Sequence, residues 1–190
     1  MLIATPSIMH SGTHLFENFI FRDFEPWPGY GVGGVDYTYK VHYISSAMSM
    51  IEKALAEADF IVSPMRHPAR ILESFKRRQR SISLNDVLSI PYVERPVIYG
   101  IRDGGDYETQ WRNLAYCMSN YNIRFIHVDD FENRDTQVEQ LAKDIGKELH
   151  PEWPINRHSG SSCNTHNLEI TGELLDEVPA WILSLYELTK

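Results

Sequence analysis

The chain has 190 residues, of which 43% are hydrophobic, and this suffices to bury the core of a single domain spanning 1–190. Its formal net charge of −8 argues against general nucleic-acid binding through bulk charge. The sequence contains no run of about 18 apolar residues and no signal-peptide pattern, so we expect neither a membrane span nor a signal peptide. Cys117 and Cys163 form no CxxC pair, which favours a reducing, cytoplasmic setting over a disulfide framework.

Hydrophobic periodicity and turn residues predict strands that alternate with helices along the chain. Such alternation indicates βαβ units, so we expect an α/β fold with a central, mostly parallel sheet and helices on both faces. In such sheets ligands bind beyond the carboxyl ends of the strands. The predicted elements are a strand over 2–8, a helix over 13–22, a loop over 24–36, a strand over 37–43, a helix over 45–58, a strand over 59–65, a helix over 66–80, an irregular segment over 83–105, a helix over 106–122, a strand over 123–131, a helix with its apolar stripe over 138–145, a polar loop over 154–167 and a last helix over 174–185.

The segment SIMHSGTHLF, residues 7–16, which we call the glycine loop, lies at a predicted strand-to-helix turn. Gly12 lets the backbone pass close to a ligand there, and the N-terminus of the following helix offers unpaired N–H groups that suit a phosphate or sulfate. A capped helix start explains the same residues, because Ser11 and Thr13 are both favourable N-cap residues. The segment alone leaves both interpretations open.

Basic side chains crowd the predicted helix 66–80. Arg66, Arg70 and Ser74 are spaced four apart, which predicts that they share one stripe of that helix. Arg66 also follows the preceding strand, at the same sheet edge as the glycine loop. An arginine fork with a hydroxyl nearby suits a phosphate, although a solvated helix face explains the same pattern. The basic residues of this segment are Arg66, Arg70, Lys76, Arg77, Arg78 and Arg80.

The alternating strand 37–43 places Lys40 and His42 on its polar face, two residues apart. An ordinary strand with its polar face in water would explain each of them separately. Together they add a cation and a titratable imidazole to the sheet edge where the glycine loop and Arg66 are predicted to lie.

These segments resemble, in matching order, the sulfotransferases that use 3′-phosphoadenosine 5′-phosphosulfate (PAPS). MHSGTH resembles the family's 5′-phosphosulfate loop, PKSGTT, and RHPARILES resembles its 3′-phosphate motif, in which a Ser lies eight positions beyond an Arg. KVH at 40–42 is similar to the KTH strand of many soluble members. The chain from Trp111 to Gly146 is similar to the family's strand, acidic turn and helix. The resemblance implies a P-loop-like, three-layer α/β fold with a central, mostly parallel sheet.

The resemblance also implies an activity, the transfer of a sulfuryl group from PAPS to an acceptor hydroxyl or amine. His42 would act as the general base, Lys40 would stabilise charge on the transferring group, and His10 would neutralise the leaving phosphate oxygen. No metal is expected, and the partner would be a small-molecule or glycan acceptor, with neither nucleic acid nor membrane involved. The residues implied to bind PAPS are Ser11, Gly12, Thr13, His14, Arg66, Ser74 and Arg157.

Several positions depart from the family's pattern. His10 replaces the usual lysine, His14 replaces a hydroxyl residue, and Leu15 stands where many members have an adenine-stacking Trp. RHSG at 157–160 resembles the family's RKG motif only loosely. Because the His10 imidazole neutralises a phosphate oxygen only when it is protonated, we expect the activity to need a lower pH than in members with a lysine at this position. These departures leave open altered catalysis, or binding without catalysis.

Two other classes fit the sequence less well. A P-loop kinase or NTPase would need GxxxxGK[ST], and the chain contains no Gly-Lys-Ser or Gly-Lys-Thr. His158, Cys163 and His166 lack a fourth ligand at a defined spacing, which favours a polar loop over a metal site. The main alternative is a non-catalytic nucleotide-binding or structural protein on the sulfotransferase fold, and the histidine at position 10 is the feature that favours it.

Overall fold

The structure is a computed structural model, and it describes residues 1–8, 11–12, 25–26, 37–39, 48–81, 107–149 and 168–190. The strands of this part of the chain are β1 (Leu2–Ala4), β2 (Glu25–Pro26), β3 (Tyr37–Tyr39), β4 (Phe60–Met65) and β5 (Arg124–His127). Its helices are α1 (Met48–Glu57), α2 (Pro68–Ser81), α3 (Tyr107–Asn120), α4 (Phe131–Asp144), α5 (Gly172–Asp176) and α6 (Ala180–Glu187).

The described strands form a five-stranded sheet in the order β2-β3-β1-β4-β5, and each neighbouring pair is parallel. β1 lies at the centre, where Ile3 is in register with Thr38 of β3 and with Phe60 of β4. The predicted α/β class with a parallel sheet is thereby confirmed. Because parallel strands share one carboxyl edge, the turns that follow β1, β4 and β5 lie beside one another.

Helices cover both faces of this sheet. Successive side chains of a strand point to opposite faces, so each face presents apolar side chains on which helices pack. Ile3, Val62 and Ile126 are fully buried on one face, where Val138 and Leu141 of α4 pack against them. The opposite face carries a larger apolar cluster. Among its fully buried members are Ala4, Met65, Ile71, Trp111, Leu114 and Ile182, which come from β1, β4, α2, α3 and α6.

The prediction that Arg66, Arg70 and Ser74 share one helical stripe is wrong for Arg66. The helix begins at Pro68, so Arg66 lies in the turn after β4. Proline favours the first helical position because its fixed φ suits the helix and its missing N–H would have had no partner there. Arg66 therefore belongs to the sheet edge, and Arg70 lies in the first turn of α2.

Prolines also account for two other differences from the prediction, the early end of the first strand and the division of the last helix. The strand predicted over 2–8 ends at Ala4, ahead of Pro6, which cannot donate to a strand ladder. β2 lies inside the segment predicted as a loop, and its Pro26 is tolerated because β2 is an edge strand. The last predicted helix is divided into α5 and α6, since Pro179 interrupts it.

Several predicted segments lie outside the described residues: the helix 13–22, residues 40–43 of the third strand, the irregular segment 83–105 and the loop 154–167, which contains Cys163. Within the described ranges, each helix is too short or too polar to cross a membrane.

Cys117 is a free thiol buried in α3, and this burial raises its pKa to about 11.

Candidate anion-binding site

The glycine loop follows β1 in the chain. In it the Ser11 N–H donates a hydrogen bond to the Ile8 carbonyl at 3.1 Å. Gly12 has a φ of +111°, and a Cβ added there would lie 3.0 Å from both methyl carbons of Val128. This position therefore requires glycine both for its backbone conformation and for its close approach to the residue that follows β5.

Ser11 is the first unusual group in this loop. Its side chain is fully buried, and its hydroxyl oxygen has no hydrogen-bond partner among the described residues. A buried hydroxyl without a partner costs about 1–3 kcal/mol, so such groups are uncommon in native proteins. An atom of a ligand at the sheet edge would satisfy it.

Two arginines meet a single carboxylate at the same edge. Arg66 Nε lies 3.2 Å from Asp129 Oδ1, and an Arg70 terminal nitrogen lies 3.2 Å from Asp129 Oδ2. The Asp129 Oδ2 atom also accepts a hydrogen bond from the His67 backbone N–H at 3.2 Å. The Asp129 side chain is 11% exposed, so these contacts are weakly screened by solvent.

The end of β5 fixes the position of Asp129. The Val128 N–H donates to the Met65 carbonyl at 2.8 Å, which continues the β4–β5 pairing past the last residue of β5. Asp130 then caps α4, because its Oδ1 accepts a hydrogen bond from the Asn133 N–H. Asp129 is held between these two fixed neighbours, and its carboxylate reaches the turn after β4.

Arg66 is the least satisfied of these groups. Burial lowers the pKa of its guanidinium, Asp129 raises it, and Arg70 lowers it further. The group nevertheless stays a cation, as arginine does in proteins. The Nε atom of Arg66 is buried and ion-paired with Asp129, and it has no hydrogen-bond partner in the described part of the chain.

The remaining groups of the basic segment are engaged elsewhere. Arg70 Nε donates to the Leu168 carbonyl at 3.3 Å. Lys76 pairs with Glu177, and Arg77 pairs with Glu73, so this face of α2 carries mixed ion pairs. Ser74 is buried in α2. The side chains of Arg78 and Arg80 lie outside the described ones.

The structure brings three of the predicted site residues to one edge: Ser11, Gly12 and Arg66. His10, Thr13, His14, Lys40, His42 and Arg157 lie outside the described residues, so their roles stay predictions. The loop with His158, Cys163 and His166 also lies outside them, and the described residues contain no group of three or more metal-ligating side chains.

Sequence reasoning missed Asp129. The available signal was the pair of acidic residues near the end of the strand predicted over 123–131, which the structure ends at His127, on the sheet edge to which Arg66 was assigned.

Aromatic rings pack beside this ion-pair cluster. The Tyr186 ring of α6 makes edge-to-face contacts with His67 at 5.2 Å and with His127 at 5.5 Å between ring centroids. His127 Nε2 lies 2.9 Å from the Thr189 carbonyl, so this nitrogen carries the proton. His67 Nδ1 accepts the Ala69 N–H at 3.2 Å, which makes His67 the cap of α2.

The pKa of His67 predicts a loss of stability in acid. Burial lowers this pKa below its ordinary 6.5, Arg70 and Lys190 lower it further, and Asp129 and Glu187 oppose them. The folded protein therefore binds this proton more weakly than the unfolded chain does, so the free energy of unfolding should fall as the pH drops below about 6.5.

Urea unfolding of the wild type and of His67→Asn across this pH range measures the effect. Asparagine keeps a capping acceptor but does not titrate, so the difference in stability between the two proteins should move in favour of the variant as the pH falls. Parallel stability curves would show that His67 does not contribute.

Comparisons with protein-family models, with curated protein sequences and with solved structures find no significant match. The geometry of the sheet edge and the sequence motifs are therefore the basis for assigning a function.

Proposed function

We propose that this protein is a PAPS-dependent sulfotransferase with a P-loop-like fold, which transfers a sulfuryl group to the hydroxyl or amine of a small-molecule or glycan acceptor. One observation carries the proposal. Two buried donor groups without hydrogen-bond partners among the described residues, Ser11 Oγ and Arg66 Nε, follow the neighbouring strands β1 and β4 at their shared carboxyl edge. Both belong to the residues that the motifs assign to the nucleotide. A cytoplasmic location belongs to the same proposal.

The chemistry of these groups fits an anion with two phosphate-like ends. Ser11 and Thr13, with the backbone amides of the glycine loop, would hold the 5′-phosphosulfate. Arg66 and Ser74 would hold the 3′-phosphate, for which a guanidinium offers paired donors. A 3′-phosphate distinguishes PAPS from ordinary nucleotides, so this second subsite would set the specificity.

The catalytic roles in the proposal fall on residues of the glycine loop and the third strand. When bound, PAPS supplies the sulfuryl group. His42 would take the proton from the acceptor as its oxygen or nitrogen attacks sulfur, opposite the bond to the leaving phosphate oxygen. Lys40 would stabilise charge on the sulfuryl oxygens, and His10, when protonated, would neutralise the leaving oxygen.

Calorimetric titration with 3′-phosphoadenosine 5′-phosphate, AMP and ATP tests the proposal. The 3′-phosphorylated nucleotide should bind at least about tenfold more tightly than AMP, because it adds a charge-assisted contact with buried arginine. Equal binding of the three nucleotides, or no binding, would contradict the proposal. A positive result justifies an acceptor screen, with His42→Ala as the inactive control.

A second candidate is a non-catalytic nucleotide-binding or structural protein. The observation that favours it is the contact of Asp129 with both Arg66 and Arg70, because such an ion-pair cluster also serves to join β4, β5 and α2. Tight binding of 3′-phosphoadenosine 5′-phosphate, without transfer of a sulfuryl group from PAPS to any acceptor, would select this alternative. A P-loop kinase reaction is a weaker candidate, since the Gly-Lys-Ser/Thr motif is missing.

A further inference from the structure

We infer that Asp129 is a positioning residue, which holds Arg66 and Arg70 together as one binding site for a phosphate group. The inference rests on the proposed function only for the identity of that phosphate as the 3′-phosphate of a nucleotide. The sequence motifs assign no role to Asp129.

The geometry of the carboxylate supports this role. Its two oxygens face different arginines, with Oδ1 at 3.2 Å from Arg66 Nε and Oδ2 at 3.2 Å from an Arg70 terminal nitrogen. The Arg66 side chain comes from the turn after β4 and the Arg70 side chain from the first turn of α2. Asp129 reaches both from the turn after β5, so one carboxylate sets the distance between the two guanidinium groups.

The charges of Arg66, Arg70 and Asp129 also support a positioning role for Asp129. The two guanidinium groups repel each other, and the pKa of Arg66 is lowered in part by the charge of Arg70. Only 14% of the Arg66 side chain and 20% of the Arg70 side chain are exposed, so solvent screens this repulsion weakly. With Asp129 between them the three side chains carry a net charge of +1, which keeps the pair together and still attracts an anion.

The same turn also reaches the glycine loop. Val128, which precedes Asp129, is the residue against which Gly12 packs. The segment after β5 thus contacts the glycine loop through Val128 and the arginines through Asp129. Arg66 Nε and Ser11 Oγ, both buried and without a hydrogen-bond partner among the described residues, follow the neighbouring strands β4 and β1, so a phosphate oxygen at this edge has donors to meet.

The test uses the Nε–Hε signals of Arg66 and Arg70 in nuclear magnetic resonance spectra, with inorganic phosphate as the probe. In the wild type both signals should shift along one binding curve, because the two arginines form one site. Asp129→Asn should weaken phosphate binding about tenfold, although it makes the site more positive by one charge. If the two arginines did not need Asp129 to hold them together, the added positive charge of Asp129→Asn would instead tighten phosphate binding.

Glu177→Gln is the matched control, since it removes the partner of Lys76 on the surface of the same helix and leaves the edge intact. It should leave the phosphate affinity unchanged. An affinity that is unchanged or increased in Asp129→Asn overturns the inference, and so do wild-type arginine signals that shift with different constants or not at all. The wild-type measurement can overturn the inference even if Asp129→Asn does not fold.

Calorimetry with 3′-phosphoadenosine 5′-phosphate and AMP separates this inference from the proposed function. If inorganic phosphate binds the arginine pair as expected but the nucleotides are not distinguished, the sulfotransferase proposal fails and the role of Asp129 stands. If the nucleotides are distinguished and Asp129→Asn leaves the preference unchanged, the role of Asp129 fails and the proposed function stands.

Discussion

Replacing Arg66 by alanine should weaken the binding of 3′-phosphoadenosine 5′-phosphate by about tenfold and leave AMP binding nearly unchanged. The guanidinium is largely buried and its Nε has no hydrogen-bond partner among the described residues besides its ion pair with Asp129, so a phosphate that reaches it gains a strong, poorly screened contact. AMP has no 3′-phosphate and would depend on the glycine loop instead. Calorimetric titration of both nucleotides into both proteins measures the change.

Two further variants make the result specific. Arg77→Ala removes a cation from α2, the helix that follows Arg66, and Arg77 is 36% exposed and paired with Glu73, so this substitution should leave both affinities unchanged. Arg66→Lys keeps the charge but loses the paired donors, so its affinity should fall between those of the wild type and Arg66→Ala. An equal loss of affinity for both nucleotides in Arg66→Ala would mean that the substitution disturbs the whole edge.

Gly12→Ala should lower the free energy of unfolding by about 2–4 kcal/mol, the sum of two separate penalties. A φ of +111° strains any residue with a Cβ, and the new methyl group would meet the Val128 side chain at 3.0 Å. The backbone penalty does not depend on side-chain rotation. Rotation of the Val128 side chain does not relieve the steric penalty either, because both of its methyl carbons are in contact. Chemical denaturation of the two proteins measures the loss.

The other described glycines separate the two penalties. Gly146 also has a positive φ, at +67°, but a Cβ there would meet nothing within 4 Å, so Gly146→Ala should show the backbone penalty alone. Gly172 begins α5 with open space around it, and Gly172→Ala should be neutral or slightly stabilising. A loss in Gly12→Ala no larger than that in Gly146→Ala would show that Val128 moves aside without cost.

The sequence allowed the site's location to be predicted because that prediction needed only the direction of the strands. Gly12 follows one predicted strand and Arg66 another, and parallel strands bring their carboxyl ends to one edge wherever they lie in the chain. The fully buried Val138 and Leu141 of α4 were predictable for a similar reason, since a 3.6-residue period specifies a helix face locally.

The contacts within the site could not be predicted, because they join residues that periodicity does not relate. Asp129 meets Arg66 only because β5 lies next to β4 in the sheet, and strand order is not a local property of the sequence. The false helical stripe had a different cause. A spacing of four residues fits a helix, but Pro68 sets the helix start after Arg66, and a helix start at proline is a signal that outweighs spacing.

The strand order has a consequence for how this protein folds. Three of the four described strand pairs, all except β2 with β3, join segments that are distant in the chain, such as Ile3 with Phe60 and Val62 with Arg124. Proteins dominated by such long-range pairings fold slowly, because the entropy of closing long loops is lost before the contacts form. The arginine pair acquires its carboxylate only when β5 docks on β4. Until then, Arg66 and Arg70 lack the carboxylate that compensates their charges in the folded protein.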